Sequence, residues 1–460
     1  MEISTGMAKF SPQAYSGETS SPVLQCNICR ESTSLMANDT AFQFAASNIR
    51  FGSGCTREVG YDLQDLQVKR VLVVIDPALV NLHPGITVRE SLDAAGIDAV
   101  FFDQVEVEPT DVSFQAAAKV ALEGRFDGFL AVGGGSTIDT AKAANLYSTY
   151  PADFLDYVNP TIGRGRPVPG PLKPLVAIPT TAGTGSETTG VAIFGDVARN
   201  VKTGISHRYL RPTLGLVDPD NTRTQPAAVA ASAGLDVLSH ALESYTAIPY
   251  TARLKPNKPS ERTAYQGTNP ISDIWALRSL EMVAEFLPRA VADVTDDEAR
   301  AQMLLASAFA GIGFGNAGVH LPHAMAYPVA GMVRDFHPAG YATRDALIPH
   351  GMSVILNTPA VVRFTASACP DRHLRAAAAL GVDVASKHAA DSGKILADRV
   401  LHFMQLLQMP SGLRAVGYAE ADIPEMIQGT LPQSRITKLS PRPVGDVELG
   451  ELFHNSMQLW

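Results

Sequence analysis

Asp236 and His240 stand four residues apart in the run GLDVLSH at 234–240. On a helix that spacing puts both side chains on one face, one turn apart, as two ligands of one cation must stand. A carboxylate beside an imidazole suits a divalent transition metal, Fe2+ or Zn2+. Three more histidines follow in apolar, glycine-rich surroundings: His320, His323 and His350, the last in the turn IPHG at 348–351. Buried charged and imidazole groups need partners, so a metal site is the reading that accounts for them together. His320 and His323 are three residues apart, and spacing does not choose between them.

A second group of residues suits phosphate. The apolar run FLAV at 129–132 leads directly into Gly133, Gly134, Gly135 and Ser136, and a helical pattern begins at Thr137. Glycines let a backbone approach an anion closely, and the helix that follows offers free N–H groups and the positive end of its dipole. Ser136 and Asp139 have the spacing of a capping box, which is expected to fix the helix start. A further run, LVAI at 175–178, opens into PTTAGTGSE at 179–187, where Thr180, Thr181, Thr184 and Ser186 supply four hydroxyls suited to sugar and phosphate. Asp76 closes the run VLVVI at 71–75. There it is placed either to accept hydrogen bonds from a ribose diol, favouring NAD over NADP, or to cap the next helix.

These groups need a scaffold that presents strand ends to a ligand. Short apolar runs recur at 71–75, 99–102, 129–132, 175–178 and 214–217, each closed by Gly, Pro or Asp. Between them lie amphipathic stretches such as 113–124 and 137–146. Strands alternating with helices predict a parallel α/β sheet, and ligands bind such sheets at the carboxyl ends of the strands. After about residue 222 the strand signal stops, and 226–246, 272–291, 297–312, 371–380 and 384–407 read as helices. The expected organisation is an extension over 1–40, an α/β nucleotide-binding domain over 41–222 and an all-helical metal-binding domain over 223–460. A Pro- and Lys/Arg-containing insert occupies 248–270, and 159–174 reads as loop.

Composition narrows the function classes. A net charge of −9 argues against nucleic acid, which demands a clustered positive surface. No apolar stretch approaches the roughly 18–20 residues of a membrane helix. Four cysteines, scattered except for the CxxC of Cys26 and Cys29, make no disulfide framework. Cys55 and Cys369 read as small packing residues. The first 40 residues are not Arg-rich and include acids, which points to cytoplasm, with the mitochondrial matrix as the alternative.

The motifs GGGSTIDTAK (133–142), PTTAGTGSE (179–187), GLDVLSHALES (234–244), HAMAYP (323–328) and PHG (349–351) occur in this order. Together they resemble the iron-containing (group III) alcohol dehydrogenases from about residue 45 to the C-terminus. That resemblance implies a dinucleotide-binding α/β domain followed by a helical metal domain, the architecture also found in dehydroquinate synthase. It assigns the metal ligands to Asp236, His240, His323 and His350 and leaves His320 outside the set. It implies NAD(H), Fe2+ ahead of Zn2+, and a homo-oligomer, expected to be a dimer.

Within the family, the stretches VEPTDVSF, TAYQGTNPISDIWA, ASAFAGIGFGNAGVHLPHAMAYPVAG and GTLPQSRITKLSP look most like the hydroxyacid-oxoacid transhydrogenase branch. The implied reaction oxidises 4-hydroxybutyrate while reducing 2-oxoglutarate on a retained cofactor. Many alcohol-oxidising members carry a histidine four residues after the third ligand, in a proton-relay position. Here Tyr327 stands there, and a phenol is a poor base at neutral pH. Lys202, in the hairpin-like segment 191–205, is expected to face the cofactor. Both implied substrates carry a carboxylate, for which Arg253, Lys255, Lys258, Arg262 and Arg334 are the candidate anchors. An ordinary NAD-dependent alcohol dehydrogenase would use the same residues. A sugar-phosphate cyclase of this architecture usually carries a Glu–His–His metal set, which Asp236 with three histidines does not match.

Overall fold

The computed structural model describes residues 37–199, 201–341 and 345–460. Cys26 and Cys29 lie outside the described residues. Among the described residues, Asn38 bridges Leu254. Asp39 beside it is buried, and its carboxylate takes Arg253 and Arg262 as partners at 3.1 and 2.9 Å. A buried carboxylate left unpaired would be costly, so residues 38–40 are held rather than trailing as an extension. The same pairs consume two of the candidate substrate anchors.

Six strands form one parallel sheet: β1 (Asn48–Phe51), β2 (Arg70–Ile75), β3 (Asp98–Phe102), β4 (Gly128–Gly133), β5 (Leu175–Pro179) and β8 (Leu214–Val217). Their spatial order is β1-β8-β5-β4-β2-β3. An antiparallel ribbon, β6 (Val191–Asp196) with β7 (Val201–Ser206), stands apart from it. The sheet is buried on both faces, which is why its strands read as continuous apolar runs. Val71, Val73 and Ile75 pack with Val59, Leu63, Val88 and Leu92 on one side. Leu72 and Val74 pack with Ala117, Ala121, Ile138 and Ala141 on the other.

The chain leaves β2 towards β3 at one edge and leaves β4 towards β5 in the opposite direction. The loops after β2 and β4 therefore part at this point, and a crevice opens at the carboxyl ends of the two strands. Asp76 and Gly134 are the residues that follow those strands.

Helices Ala227–Thr246, Pro270–Ala292, Asp297–Ala317, Leu321–Gly331 and His350–Ile355, with others to the C-terminus, build the second half. Its core is mainly Ala, Leu, Val and Met. Ala227–Thr246 is central and buried without interruption from Gly234 to Thr246. Small residues make this density possible. A Cβ on Gly351 would stand 2.0 Å from the Ser232 carbonyl and 2.9 Å from Asp236 Cβ, so only glycine lets His350–Ile355 lie this close to the Asp236 helix. Among the described residues no single helix is long and apolar enough to cross a membrane.

Candidate active site

A helix buried all round has no solvated face, so its polar side chains must find partners inside. Asp236, His240 and Glu243 lie on Ala227–Thr246, and all three are buried. His323 enters from Leu321–Gly331. Ligand atoms of Asp236, His240 and His323 all fall within 4.8 Å of one another. His323 Nε2 is 3.0 Å from His240 Nε2 and 3.6 Å from Asp236 Oδ1. His350 stands at the edge, its Nε2 3.9 Å from the same Oδ1.

Glu243 arranges this cluster without being part of it. One carboxylate oxygen accepts from His323 Nδ1 at 2.5 Å, and the other accepts from the His320 backbone N–H at 2.6 Å. With Nδ1–H donating to Glu243, His323 turns Nε2 towards Asp236 and His240, the nitrogen that would ligate a metal once its proton is displaced. Burial alone would depress His323, but the Glu243 and Asp236 carboxylates outweigh it and hold its pKa up at about 9. His240 goes the other way, pushed down to about 3 by burial. Its ring stacks on Phe314 at 4.0 Å.

Asp236 Oδ1 and His240 Nδ1 are buried without a hydrogen-bond partner. An acceptor shielded from water and left unmatched costs on the order of 1–3 kcal/mol. One carboxylate with three imidazoles gathered around it fits a divalent cation. His320 lies outside the cluster, its Nε2 3.1 Å from Thr246 Oγ1.

Asp236, His240, His323 and His350 line a cleft of about 400 Å3 together with Asp76, Gly134, Gly135, Ser136, Asp139, Thr181, Thr184, Ser186, Lys202 and Tyr327. Gly133 and Thr180 are not in its lining. They lie one step back in the strand ladder, Gly133 paired with Pro179 and Thr180 N–H donating to the Gly133 carbonyl. The helix after β4 starts at Gly135, capped by Gly134 with no side-chain hydrogen bond. Its N-terminal N–H groups thus face the cleft without a side-chain partner, a fit for an anionic ligand. Thr184 presses on this turn so closely that a Cβ on Gly135 would come within 2.6 Å of it.

The expected capping box does not form. Ser136 Oγ donates to the Val107 carbonyl, and Asp139 turns inward to accept from Lys142, Ser186 Oγ and Ile193 N–H. The reason is Lys142, fully buried one turn further on, whose ammonium needs a carboxylate. Asp76 caps the turn at Pro77–Leu79, accepting from Ala78 N–H at 2.9 Å, and also lines the cleft.

Lys202 Nζ pairs with Glu108, another lining residue. Tyr327 is buried one turn beyond His323, and burial raises its pKa further above the ordinary phenol value. Arg253, Arg262, Lys255, Lys258 and Arg334 do not line the cleft, and Arg334 pairs with Asp422. Among the described residues, the cation that does, besides Lys202, is Arg435, from the stretch GTLPQSRITKLSP. Glu243 was also missed, although it completes an i, i+4, i+7 stripe with Asp236 and His240.

Residues 46–219 match the family model described as iron-containing alcohol dehydrogenase, and residues 261–457 match the C-terminal model of the same family. The bovine hydroxyacid-oxoacid transhydrogenase, named as mitochondrial, is 55% identical over 92% of this chain and 91% of its own length. The chain belongs to the iron-containing alcohol dehydrogenase family. It is an oxidoreductase acting on CH–OH groups. Other relatives in the transhydrogenase branch include the human protein, 53% identical over 92% of this chain and 91% of its own length. A probable one from Dictyostelium discoideum is 51% identical over 92% of this chain and 80% of its own length. Among solved structures, a 1,3-propanediol oxidoreductase superposes with a TM-score of 0.79 at 27% identity, covering 91% of this chain and all of that one. Sulfoacetaldehyde reductase from Bifidobacterium kashiwanohense, solved with NAD+, gives 0.74 at 25% identity, with 90% and 98% coverage.

Proposed function

We propose that the chain is a hydroxyacid-oxoacid transhydrogenase. It oxidises 4-hydroxybutyrate to succinic semialdehyde, releasing a proton and a hydride that carries the two electrons, and passes that hydride through the cofactor to 2-oxoglutarate, which takes up a proton and becomes 2-hydroxyglutarate. The observation that carries the reading is one cleft lined both by the Asp236, His240, His323 and His350 donors and by the uncapped helix start at Gly134 and Gly135. Likeness to the transhydrogenase branch over nine-tenths of the chain supports the choice of substrates.

Asp236, His240, His323 and His350 would hold a divalent ion, iron ahead of zinc, supplying Lewis acidity towards a hydroxyl or keto oxygen, while a nicotinamide supplies the hydride carrier. Glu243 fixes the tautomer of His323. The N–H groups at Gly135 and Ser136 would hold the cofactor's phosphates, and Asp76, which lines the same cleft, would accept from a ribose. Tyr327 stays a neutral phenol and acts as a hydrogen-bond donor, not a base. Lys202 positions itself through Glu108. Names that place the relatives in mitochondria support the matrix as the compartment.

The test uses purified protein with no added nucleotide, given 4-hydroxybutyrate and 2-oxoglutarate together, with 2-hydroxyglutarate followed by mass spectrometry. Many turnovers per protein are expected. No product until NAD is added, with NADH then accumulating from an alcohol, would leave an ordinary dehydrogenase.

A further inference from the structure

Two cations line the cleft among the described residues, Lys202 and Arg435. Lys202 is neutralised by Glu108. Arg435 forms no ion pair with any described residue, and its Nη1 is shielded from water without a hydrogen-bond partner. It sits on the short helix Ser434–Thr437, with its guanidinium 4.9 Å from the centre of the Tyr265 ring. Tyr265 and Tyr327 are both buried, and the Arg435 charge bears on both hydroxyls. Ile436, the next residue, packs with Ala324 and Tyr327 on the helix that carries His323. An arginine fixed over an aromatic ring, lining a cleft with Nη1 unpaired, is arranged to receive a carboxylate.

The proposed substrates fit such an anchor in one particular way. In 4-hydroxybutyrate the reacting carbon is C4, and two methylenes separate it from the carboxylate. In 2-oxoglutarate the reacting carbon is C2, and two methylenes again separate it from the distal carboxylate. With carbon–carbon bonds of about 1.5 Å, the carboxyl carbon lies about 4 Å from the reacting carbon in both. A residue one helical turn from His323, as Tyr327 is, works on the same scale, roughly 5–6 Å between Cβ atoms.

We propose that Arg435, held by Tyr265 and Tyr327, binds the remote carboxylate of both substrates and is the specificity-determining residue of the cleft. The proposal rests on the transhydrogenase reading. It means the hydroxy acid and the oxo acid occupy one subsite in turn. Substrates are then selected by a carboxylate two methylenes from the reacting carbon, and the second carboxylate of 2-oxoglutarate is an added substituent on that carbon.

The experiment compares wild type with Arg435→Met and Arg435→Lys in kcat/KM for 4-hydroxybutyrate and for 1-butanol, its counterpart without the carboxylate. The wild-type preference for the acid should fall about 10- to 100-fold in Arg435→Met, the range expected for a lost charge-assisted pair, mainly through KM. Arg435→Lys, which keeps a point charge but not the fork, should retain part of it and serves if Arg435→Met does not fold. Calorimetric binding of 2-oxoglutarate should weaken similarly, while NADH binding holds. An unchanged acid-to-butanol ratio with unweakened 2-oxoglutarate binding, or an equal loss on both substrates, overturns the proposal. If wild type shows no nucleotide-free turnover but 2-oxoglutarate binding still depends on Arg435, the transhydrogenase reading fails and the carboxylate anchor stands.

Discussion

Asp236, His240 and Glu243 follow one another at intervals of four and three along Ala227–Thr246, a single stripe facing His323. Two of them are the proposed metal ligands; the third accepts a hydrogen bond from His323, the proposed ligand on another helix. Replacing Glu243 by Gln keeps the shape but removes the charge that fixes the His323 tautomer. Metal affinity should drop about 10- to 100-fold, as loss of such an outer partner generally costs. Competition against a chelator of known affinity measures it, and affinity within a factor of two of wild type would show that Glu243 does not orient His323. Glu243 was not singled out from the sequence, although helical periodicity is local and places it on the same stripe. Arg435 left no such signal, because nothing near residue 435 in the chain hints that Tyr265 and Tyr327 flank it.

Two loops meet at the phosphate end of the cleft, and their closeness depends on glycine. At Gly135 a Cβ would be 2.6 Å from Thr184 Cγ2, and at Gly134 it would be 3.1 Å from Thr181 Oγ1. The glycines therefore serve loop packing as well as anion access. Gly135→Val is expected to cost about 1–3 kcal/mol in urea unfolding, the usual range for overpacking. It should also weaken NADH binding, read by nicotinamide fluorescence, because the same turn carries the free N–H groups. Weakened NADH binding without a change in stability would mean the turn is open and Thr184 yields. Asp139 shows why the capping motif misled: its spacing from Ser136 is right for a cap, but a buried ammonium one turn away competes for the carboxylate.

The two halves of the molecule are joined by the loop that runs from β5 past Glu187. A Cβ on Gly185 would stand 2.7 Å from Gly311 Cα in the helix Asp297–Ala317, while Ser47 Oγ donates to the Glu187 carbonyl and Glu187 packs over Gly215 of β8. Burial pushes the Glu187 carboxyl up from its ordinary 4.5 to about 7, with the Lys142 charge opposing. The folded protein therefore binds more protons than the unfolded chain between those values. The associated stability is fully present below pH 4.5 and is lost as pH rises through 7. Glu187→Gln, a neutral stand-in for the protonated acid, should gain on wild type by about 1–3 kcal/mol between pH 5 and pH 8. Thermal unfolding at both pH values checks this; parallel curves would mean that Lys142 compensates the charge throughout.

Patterns that repeat within a few residues were enough to show a parallel α/β half, an all-helical half, five of the six sheet strands, and Asp236 with His240 on one helical face. Hydrogen bonding and side-chain direction repeat locally there, and burial imposes the same period on the sequence. The edge strand β1, four residues with neither end residue buried, left too little apolar pattern to be seen. Which histidines join Asp236, which carboxylate orders them, which cation stays unpaired in the cleft and which glycines allow close approach depended on packing between segments distant in the chain. Asp39 with Arg253 and Arg262, or Tyr265 with Arg435, are separated by far more residues than any periodicity spans. Their meeting follows from the folded path, because a charge or ring is given its role by whatever the closed structure leaves beside it.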